Sequence, residues 1–300
     1  MKIAVTGANS SVGLELLGQL RAQKGADVVA CVRSQRAATE VPVSTGVQVR
    51  VASYDDRGAL AESLAGAECV VHLAGILLES RGTSYESANV DTTVAVADAA
   101  VQAGVGHLAL VSVVGADAES RNRYFRTKGL AERAFAESGV PATIVRTPIL
   151  LGPSTAGGFA LARTVGSGRA RLLGGGHYMT RPLDVNDLCQ AIMRICSTRP
   201  KGVALHELVG PEPVTYRALV ERAAEVAGTQ VALGSIPIWL AKAGAAVRST
   251  FAGGGFTPTV IDVITMNEVV KKNADAELGI ALTPLNESLR RILPGKQSGT

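Results

Sequence analysis

Short apolar runs alternate with stretches of helical spacing through the first half of the chain. The runs have the length and the valine-rich composition of strands buried on both faces of a sheet, and they lie at residues 3–5, 27–32, 47–51, 69–73, 107–112 and 142–146. Between them, apolar residues recur every three or four positions and predict helices that begin near residue 12 and cover about residues 58–65, 85–103 and 122–138. The alternation predicts repeated strand–helix–strand units.

Right-handed crossovers join such units into a doubly wound parallel sheet, so the predicted fold class is α/β of the Rossmann type. An apolar run at residues 203–209 predicts a further strand that returns to the sheet from the second half of the chain. Ligands of these sheets bind beyond the carboxyl ends of the strands. The residues that follow each run are therefore the candidates for chemistry.

The regular alternation ends near residue 150. Helical pieces at residues 187–196 and 216–227 are separated by glycine-rich stretches, which form either a mobile lid or ordinary surface turns. We predict a Rossmann core over residues 1–150, a smaller C-terminal substrate-side lobe over residues 151–294, of which residues about 180–210 return to the core, and a polar tail at residues 295–300.

The composition suits tightly packed helices on a parallel sheet, because the 300 residues are 47% hydrophobic, only 4% aromatic and include 33 glycines. The net charge of +4 is spread along the chain, and its densest basic run, at residues 121–128, is interpreted as a solvated helix face rather than a nucleic-acid site. Four separated cysteines indicate a reducing, cytoplasmic location. Four histidines without ligand spacing predict no metal site.

The sequence also predicts no membrane span. Met1 leads directly into a strand without a signal-peptide pattern. Residues 231–241 are apolar, but Pro237 interrupts them and Lys242 follows them, so the segment is too short to cross a bilayer. We expect it to be a core or lid segment rather than an interfacial anchor.

A glycine-edged turn, Thr6-Gly-Ala-Asn-Ser-Ser-Val-Gly13, joins the first strand to the first helix. Glycines at its two ends allow a tight turn and close helix packing, and the N–H groups at the helix start favour an anion. Ser10 replaces the middle glycine of the pattern T-G-x-x-G-x-x-G, but it is small and its hydroxyl can donate to a phosphate. The turn predicts a pyrophosphate site, with a ligand-free tight turn as the alternative, formed by Gly7, Asn9, Ser10, Ser11, Val12 and Gly13.

The end of the second strand indicates which dinucleotide fits. Arg33 stands twenty residues after Gly13, where an NAD(H) site has an acidic residue, and Arg36 follows it with no carboxylate beside them in the sequence. Arginine pairs with a 2′-phosphate that a carboxylate would repel, so the sequence favours NADP(H) over NAD(H). The alternative is a basic turn exposed to solvent.

Later strand ends extend this predicted site and add a reactive pair. Residues 53–54 follow the third strand and residues 73–75 the fourth, and they supply the adenine and ribose candidates Ser53, Tyr54, Leu73, Ala74 and Gly75. Tyr124 and Lys128 share one face of the helix after the fifth strand. An ammonium beside a phenol lowers the phenol's pKa from about 10 and makes it usable as an acid or a base.

These motifs resemble, in the same order, those of the extended and atypical short-chain dehydrogenase/reductase superfamily. The match covers nearly the whole chain and rests on residues 6–13, 72–75, 110–112, 124–128, 146–148 and 181–187. The resemblance implies NAD(P) binding around Gly7, Ser10, Gly13 and Arg33, with Thr147 and Pro148 at the same site. It also implies that Tyr124 donates or accepts the proton and that Lys128 binds the nicotinamide ribose.

One further similarity and two departures qualify this resemblance. Residues 210–216, 236–240 and 273–289 are similar to the branch related to the mitochondrial complex I accessory NADPH-binding subunit and its bacterial relatives. Active extended members carry a Ser or Thr slightly beyond the fifth strand, and here Ser112, one or two positions earlier, is the candidate third catalytic residue. Ser53 also stands where many relatives have an adenine-binding aspartate.

Two functions follow as hypotheses. The first is an NADP(H)-dependent oxidoreductase, or a related epimerase, that acts on a small carbonyl or alcohol substrate. The alternative is a non-catalytic protein that binds NADPH as a structural element or redox sensor, in a larger assembly or a homo-oligomer. A dinucleotide-type fold that serves only as an interaction module is the third reading.

Overall fold

A parallel sheet of seven strands forms the centre of the described structure. The structure is a computed structural model that describes residues 1–23, 27–42, 45–252 and 255–293, so the expected tail at residues 295–300 lies outside it. The first half supplies six strands: β1 Lys2–Thr6, β2 Asp27–Val32, β3 Val47–Val51, β4 Cys69–His72, β5 Leu108–Val113 and β6 Ala142–Thr147. The predicted α/β class is confirmed.

Helices connect these strands and cover both faces of the sheet. They are α1 Ser11–Ala22, α2 Gln35–Ala38, α3 Arg57–Leu64, α4 Thr92–Gln102 and α5 Arg123–Ala136. The stretch at residues 85–103, expected to form one α-helix, instead begins with a π-helical segment, Glu86–Asp91, that leads into α4.

The second half adds one strand to the sheet and several smaller elements. Its β11 pairs in parallel with β6, as the apolar run at residues 203–209 predicts. The elements are β7 Leu150–Leu151, α6 Ala156–Gly166, β8 Arg169–Leu173, β9 Met179–Thr180, β10 Leu183–Asp184, α7 Val185–Thr198, β11 Val203–Glu207, β12 Val214–Thr215, α8 Tyr216–Val226, β13 Ala232–Ile236, α9 Ile238–Ala252, α10 Pro258–Ile264, α11 Asp275–Leu278 and α12 Leu285–Ile292.

The strand order β11-β6-β5-β4-β1-β2-β3 creates a crevice between β1 and β4. From this point the chain proceeds to one edge through β2 and β3 and to the other through β5, β6 and β11. Such a switch point is where open parallel sheets bind ligands.

Alternate strand residues supply two buried layers, one on each face of the sheet. Ile3 and Val5 of β1 pack in the layer that includes α1 and α7, whereas Ala4 packs in the layer that includes α3, α4 and α5. All three side chains are fully buried. Helix α1 contributes Leu16 and Leu20, one turn apart, and this spacing faces the sheet.

A third core lies outside the sheet. Leu161 of α6, Leu219 of α8 and Leu289 of α12 are fully buried together. Strand β13 pairs in parallel with β8, and an ion pair joins Lys242 of α9 to Asp262 of α10 at 2.5 Å. We call α6, β8, α8, β13, α9, α10 and α12 the outer lobe.

Candidate cofactor cleft and reactive cavity

The turn between β1 and α1 leaves no space for side chains at its two glycines. Gly7 has a φ of +71°, and a Cβ there would lie 2.7 Å from the backbone nitrogen of Ala74. A Cβ at Gly13 would lie 2.5 Å from the carbonyl oxygen of Ala8. Both positions therefore require glycine, and the backbone stays open to a ligand.

Ser10 is the N-cap of α1. Its Oγ accepts a hydrogen bond from the backbone N–H of Gly13 at 3.1 Å. This contact uses the oxygen and leaves the hydroxyl proton for donation. Ser10 can therefore cap the helix and donate to a phosphate, beside the first-turn N–H groups of Ser11 and Val12.

A cleft of about 660 Å³ extends from this turn along the switch point. Arg36 does not border it and lies exposed in the short helix α2. Ser11, Val12 and Gly13 contribute only the start of α1. The residues from the predicted cofactor site that border the cleft are Gly7, Asn9, Ser10, Arg33, Ser53, Tyr54, Leu73, Ala74 and Gly75.

Tyr54 lies against the glycine-edged turn at residues 6–13. It lies close to the Thr6 side chain and the Gly7 backbone, and burial raises the pKa of Tyr54 to about 12. Ser53 accepts a hydrogen bond from the Asp55 backbone N–H at 3.2 Å. The adenine candidates therefore also hold the two strand ends in place.

One carboxylate lies closer to the phosphate turn than the sequence suggests. Glu40, just beyond α2, accepts a hydrogen bond from Asn9 Nδ2 at 2.8 Å. The sequence has no carboxylate beside Arg33 and Arg36, and it does not show that Glu40 reaches Asn9. This contact arises because the chain folds back after α2. Arg33 still borders the cleft.

A second cavity, of about 250 Å³, shares the wall Leu73–Ala74–Gly75–Ile76 with the cleft. Together the two spaces form an elongated site with a glycine-edged anion cradle at one end, which suits a dinucleotide. Ser112 and Val113 also border the cavity, and the candidate residues around it are Tyr124, Lys128, Thr147 and Pro148.

Lys128 is a buried cation in this cavity. Its Nζ donates to the carbonyl oxygen of Val111 at 3.0 Å. A Cβ placed on Gly75 would lie 3.8 Å from the same Nζ, so the ammonium lies next to the Gly75 wall of the cavity. Burial lowers the pKa of Lys128 to about 8, against a smaller raising effect of Glu132.

The pKa of Tyr124 is raised, whereas its spacing to Lys128 predicts a lowered pKa. Burial raises the pKa of Tyr124 above its ordinary value of 10, and the neighbouring Tyr85 adds to the rise. The two rings meet edge to face with centroids 5.8 Å apart. The expected lowering is therefore corrected, and the phenol is a proton donor at neutral pH.

Asn89 is a site residue that the sequence analysis missed. It is buried, its Oδ1 accepts from the Ile76 backbone N–H at 2.9 Å, and its Nδ2 donates to Thr127 Oγ1 at 3.1 Å. The π-helical segment carries it, and such segments are frequent at functional sites. The available signal was a buried-face asparagine within the apolar helix pattern.

The Ser112 hydroxyl is already bound to another group. Although Ser112 borders the cavity, its Oγ donates to Glu132 Oε1 at 2.5 Å. The same carboxylate receives two hydrogen bonds from Arg146, at 3.0 Å from Nε and 2.7 Å from Nη2. The Ser112 hydroxyl proton therefore points to this buried cluster, and a catalytic role for Ser112 stays a prediction.

Glu132 is the second residue that the sequence analysis missed. It stands one turn after Lys128 on α5 and is itself buried. The signal was present, since Tyr124, Lys128 and Glu132 continue the same four-residue spacing on one helix face.

Replacing Lys128 by methionine is expected to raise the free energy of unfolding at pH 7 by about 1–2 kcal/mol. Methionine keeps the apolar stem and removes the cost of burying a charge, which is partly offset by loss of the bond to Val111. Between the folded pKa of about 8 and the ordinary 10.5, the unfolded wild type holds more protons. Wild-type stability therefore rises with pH in that window, and the gain of the variant should shrink there.

Urea unfolding at pH 7, 8.5 and 10 measures this difference, with the exposed Lys201→Met as the control variant. A Lys128→Met protein that is less stable than wild type at pH 7 would contradict the burial cost.

Within residues 1–23, 27–42, 45–252 and 255–293, no group of three or more His, Cys, Asp or Glu side chains is arranged to hold a metal ion. Across the same residues, no helix is both long enough and apolar enough to cross a membrane.

Comparison with known sequences assigns the first half of the chain to a described group. The family described as NAD(P)H-binding matches residues 7–170. A farnesyl-dihydroquinoline-oxide ketoreductase of Stigmatella aurantiaca is 29% identical over 82% of this chain and 79% of its own length. A reductase of (4-alkanoyl-5-oxo-2,5-dihydrofuran-3-yl)methyl phosphate from Streptomyces griseus is 30% identical over 75% of this chain and 74% of its own.

A third relative has a different role. Subunit 9 of the mitochondrial NADH dehydrogenase alpha subcomplex of Arabidopsis thaliana is 29% identical over 64% of this chain, which spans 49% of that subunit.

Solved structures share the fold. The NADPH-dependent quinone oxidoreductase QOR2 of Escherichia coli, complexed with NADPH, superposes with a TM-score of 0.75 at 21% identity, covering 97% of this chain and 99% of its own. MoeE5 in complex with UDP-glucose and NAD gives a TM-score of 0.74 at 22% identity, with 98% of each chain covered.

Proposed function

The chain belongs to the NAD(P)H-binding family, and from this we propose that it is an NADP(H)-dependent oxidoreductase that reduces a carbonyl group or oxidises the corresponding alcohol. The observation that carries the proposal is the shared cavity in which Asn89, Tyr124 and Lys128 adjoin the Gly75 wall of the cofactor cleft. The reductases among its relatives support the same reaction class.

Each residue of the cavity has a defined part in this proposal. The bound nicotinamide would supply the hydride. Tyr124 holds a proton on its phenol, because burial raises its pKa, and delivers it to the carbonyl oxygen. Lys128 binds ribose hydroxyls through its ammonium, and Asn89 fixes the loop after β4 by bonding to the Ile76 backbone.

Arg33 supports the finer proposal that NADP(H) is preferred over NAD(H). Arg33→Ser is expected to weaken NADPH binding by about tenfold or more and to leave NADH binding within about twofold, because a charge-assisted bond to the 2′-phosphate is lost. Titration of the purified protein with each nucleotide, followed by fluorescence, measures both affinities. Arg36→Ser is the matched control, since Arg36 does not border the cleft.

Equal losses for both nucleotides in Arg33→Ser would contradict a contact with the 2′-phosphate. Identification of the nucleotide released from purified protein, followed by a screen of ketones and aldehydes for NADPH oxidation, tests the reaction itself.

We further propose a cytoplasmic location and a division into the core at residues 1–150 and the substrate-side lobe at residues 151–294.

A non-catalytic NADPH-binding protein is the second candidate. The observation that favours it is the commitment of the Ser112 hydroxyl to Glu132, which leaves the cavity without the third catalytic hydroxyl of active relatives. Similarity to a respiratory complex subunit suggests, for this candidate, a place in a larger assembly. Tight NADPH binding without oxidation by any carbonyl in the screen would favour this candidate over the first.

A further inference from the structure

Two segments of the outer part of the chain hold all of its net positive charge. Residues 153–180 and 231–260 contain Arg163, Arg169, Arg171, Lys242 and Arg248 and no aspartate or glutamate. The whole chain has 30 basic and 26 acidic residues, so 25 basic and 26 acidic residues remain elsewhere. The positive charge is thus concentrated in these two segments, although the total net charge of +4 is modest.

The same segments expose large apolar side chains. Trp239 of α9 is 71% exposed, Val247 of the same helix is 64% exposed, and Phe159 of α6 is 65% exposed. Along α9, among residues 238–249, the exposed positions are small or apolar except for one arginine: Trp239, Leu240, Ala243, Gly244, Ala246, Val247 and Arg248. A surface helix ordinarily presents polar residues to water, so this face is built for another environment.

The basic and the apolar groups are linked through one pair of strands. Strand β8 pairs in parallel with β13, where Arg169 lies opposite Ala232 and Arg171 opposite Gly234. Strand β13 passes through Pro237 directly into α9. The strand that carries the exposed arginines therefore lies beside the strand that leads into the apolar helix.

We propose that this surface of the outer lobe docks on an anionic phospholipid bilayer, with α9 lying in the plane of the interface. Apolar side chains of α9 insert at the boundary of the acyl chains, and the amphipathic ring of Trp239 lies at the level of the headgroups. The basic residues bind the lipid phosphates. The two segments carry five basic and no acidic residues. Asp262 of α10 pairs with Lys242, and the remaining excess of positive charge suits a uniformly negative plane better than a protein partner with mixed charges. The interfacial anchor that the sequence analysis disfavoured thus becomes our proposal.

The docked surface connects to the rim of the reactive cavity. Beyond α9 the backbone N–H of Gly255 donates to the carbonyl oxygen of Glu79 at 2.8 Å. Glu79 lies in the loop after β4 that carries Ile76 and Leu77 along the cavity. Leu78 and Phe256, at 50% and 43% exposure, flank this contact. Docking would bring the cavity mouth near the bilayer, but it does not depend on the proposed reaction.

Trp239 is the only tryptophan of the chain and reports on the docking directly. Vesicles of phosphatidylglycerol and phosphatidylcholine in equal parts should sediment the full chain, shift the Trp239 emission to the blue and allow quenching by brominated lipid. Pure phosphatidylcholine vesicles should bind at least about tenfold more weakly, and high salt should reduce binding to the anionic vesicles.

Variants separate the apolar and the electrostatic contributions. The double variant Leu240→Ser, Val247→Ser should bind about tenfold more weakly or worse, because two apolar groups no longer enter the boundary. The double variant Arg169→Gln, Arg171→Gln should bind about 25-fold more weakly, at about a factor of five per charge. Val203→Ser on β11 and Arg50→Gln on β3 are the matched controls at the two edges of the sheet and should bind like the wild type.

Three results would overturn the proposal: no sedimentation with anionic vesicles, unchanged binding in both double variants, or equal losses in the controls. A dimer in solution that Leu240→Ser, Val247→Ser dissociates would also overturn it, since a second copy would then cover this face.

Discussion

Tyr124→Phe is expected to lower the rate of NADPH oxidation by a carbonyl substrate by about 100- to 10,000-fold, the contribution of a positioned general acid. Phenylalanine preserves the ring that packs against Tyr85 and Phe125, at centroid distances of 5.8 and 5.7 Å. NADPH affinity should therefore change by less than about twofold. Single-turnover absorbance measurements with any substrate found in the carbonyl screen give the rate, and fluorescence titration gives the affinity.

Tyr216→Phe is the matched control, because it removes the same hydroxyl from a ring that stacks on Tyr178 in another part of the chain. Turnover by Tyr124→Phe equal to that of the wild type would eliminate the phenol as the proton donor. The loss of both turnover and NADPH affinity would instead indicate that the substitution disturbed the cleft.

The pH dependence provides a second test of the same pair. Because burial raises the pKa of Tyr124 and lowers that of Lys128 to about 8, both groups are protonated below pH 8. The kcat/KM for carbonyl reduction should then fall as pH rises through about 8, where free Lys128 loses its charge. A profile that rises through this range would indicate a phenolate base.

The fold follows closely from the sequence because its signals are local. The apolar runs that predict β1, β2, β4, β5 and β6 are mostly buried on both faces of a parallel sheet, so their composition alone identifies them. The edge strand β3 is partly exposed, with Val51 at 45% exposure, although its run was expected to be buried like the others. Gly7 and Gly13 likewise stand where a Cβ would strike backbone atoms. Helical spacing does not distinguish an α-helix from a π-helix, and the π-helical segment around Asn89 was therefore missed.

The direction of side chains and the burial of charges are less accessible to the sequence. Strand periodicity shows that Ser112 and Val111 face opposite sides, but only the packed sheet shows that Ser112 faces Glu132. The spacing of Tyr124 and Lys128 captures their shared face, whereas burial decides both pKa directions. Hydrophobicity likewise predicted a core or lid position for residues 231–241, and the 71% exposure of Trp239 contradicts the core position for that side chain.

Glu132→Ala is expected to lower the free energy of unfolding by about 3 kcal/mol, as removal of one partner of a buried ion pair does. The carboxylate of Glu132, on α5, joins three elements. It accepts hydrogen bonds from Ser112 of β5 and from Arg146 of β6. Glu207, 4.0 Å from Arg146, and Asp117 would remain as weaker partners of the guanidinium. Urea unfolding measures the loss, and Glu119→Ala, which breaks an exposed pair with Arg133, should cost less than about 0.5 kcal/mol.

Ser112→Ala separates the structural role of this cluster from a catalytic one. It removes one hydrogen bond to Glu132 and leaves the bidentate pair with Arg146 intact, so it should cost about 1 kcal/mol of stability. Turnover should stay within about threefold of wild type, because the hydroxyl is bound to the carboxylate and not to substrate. A loss near a hundredfold with unchanged stability would support Ser112 as a catalytic group.

Glu132→Ala should also lower turnover. The strand end that carries Ser112 presents the Val111 carbonyl to Lys128, so loss of the carboxylate would leave the position of the Lys128 ammonium less fixed.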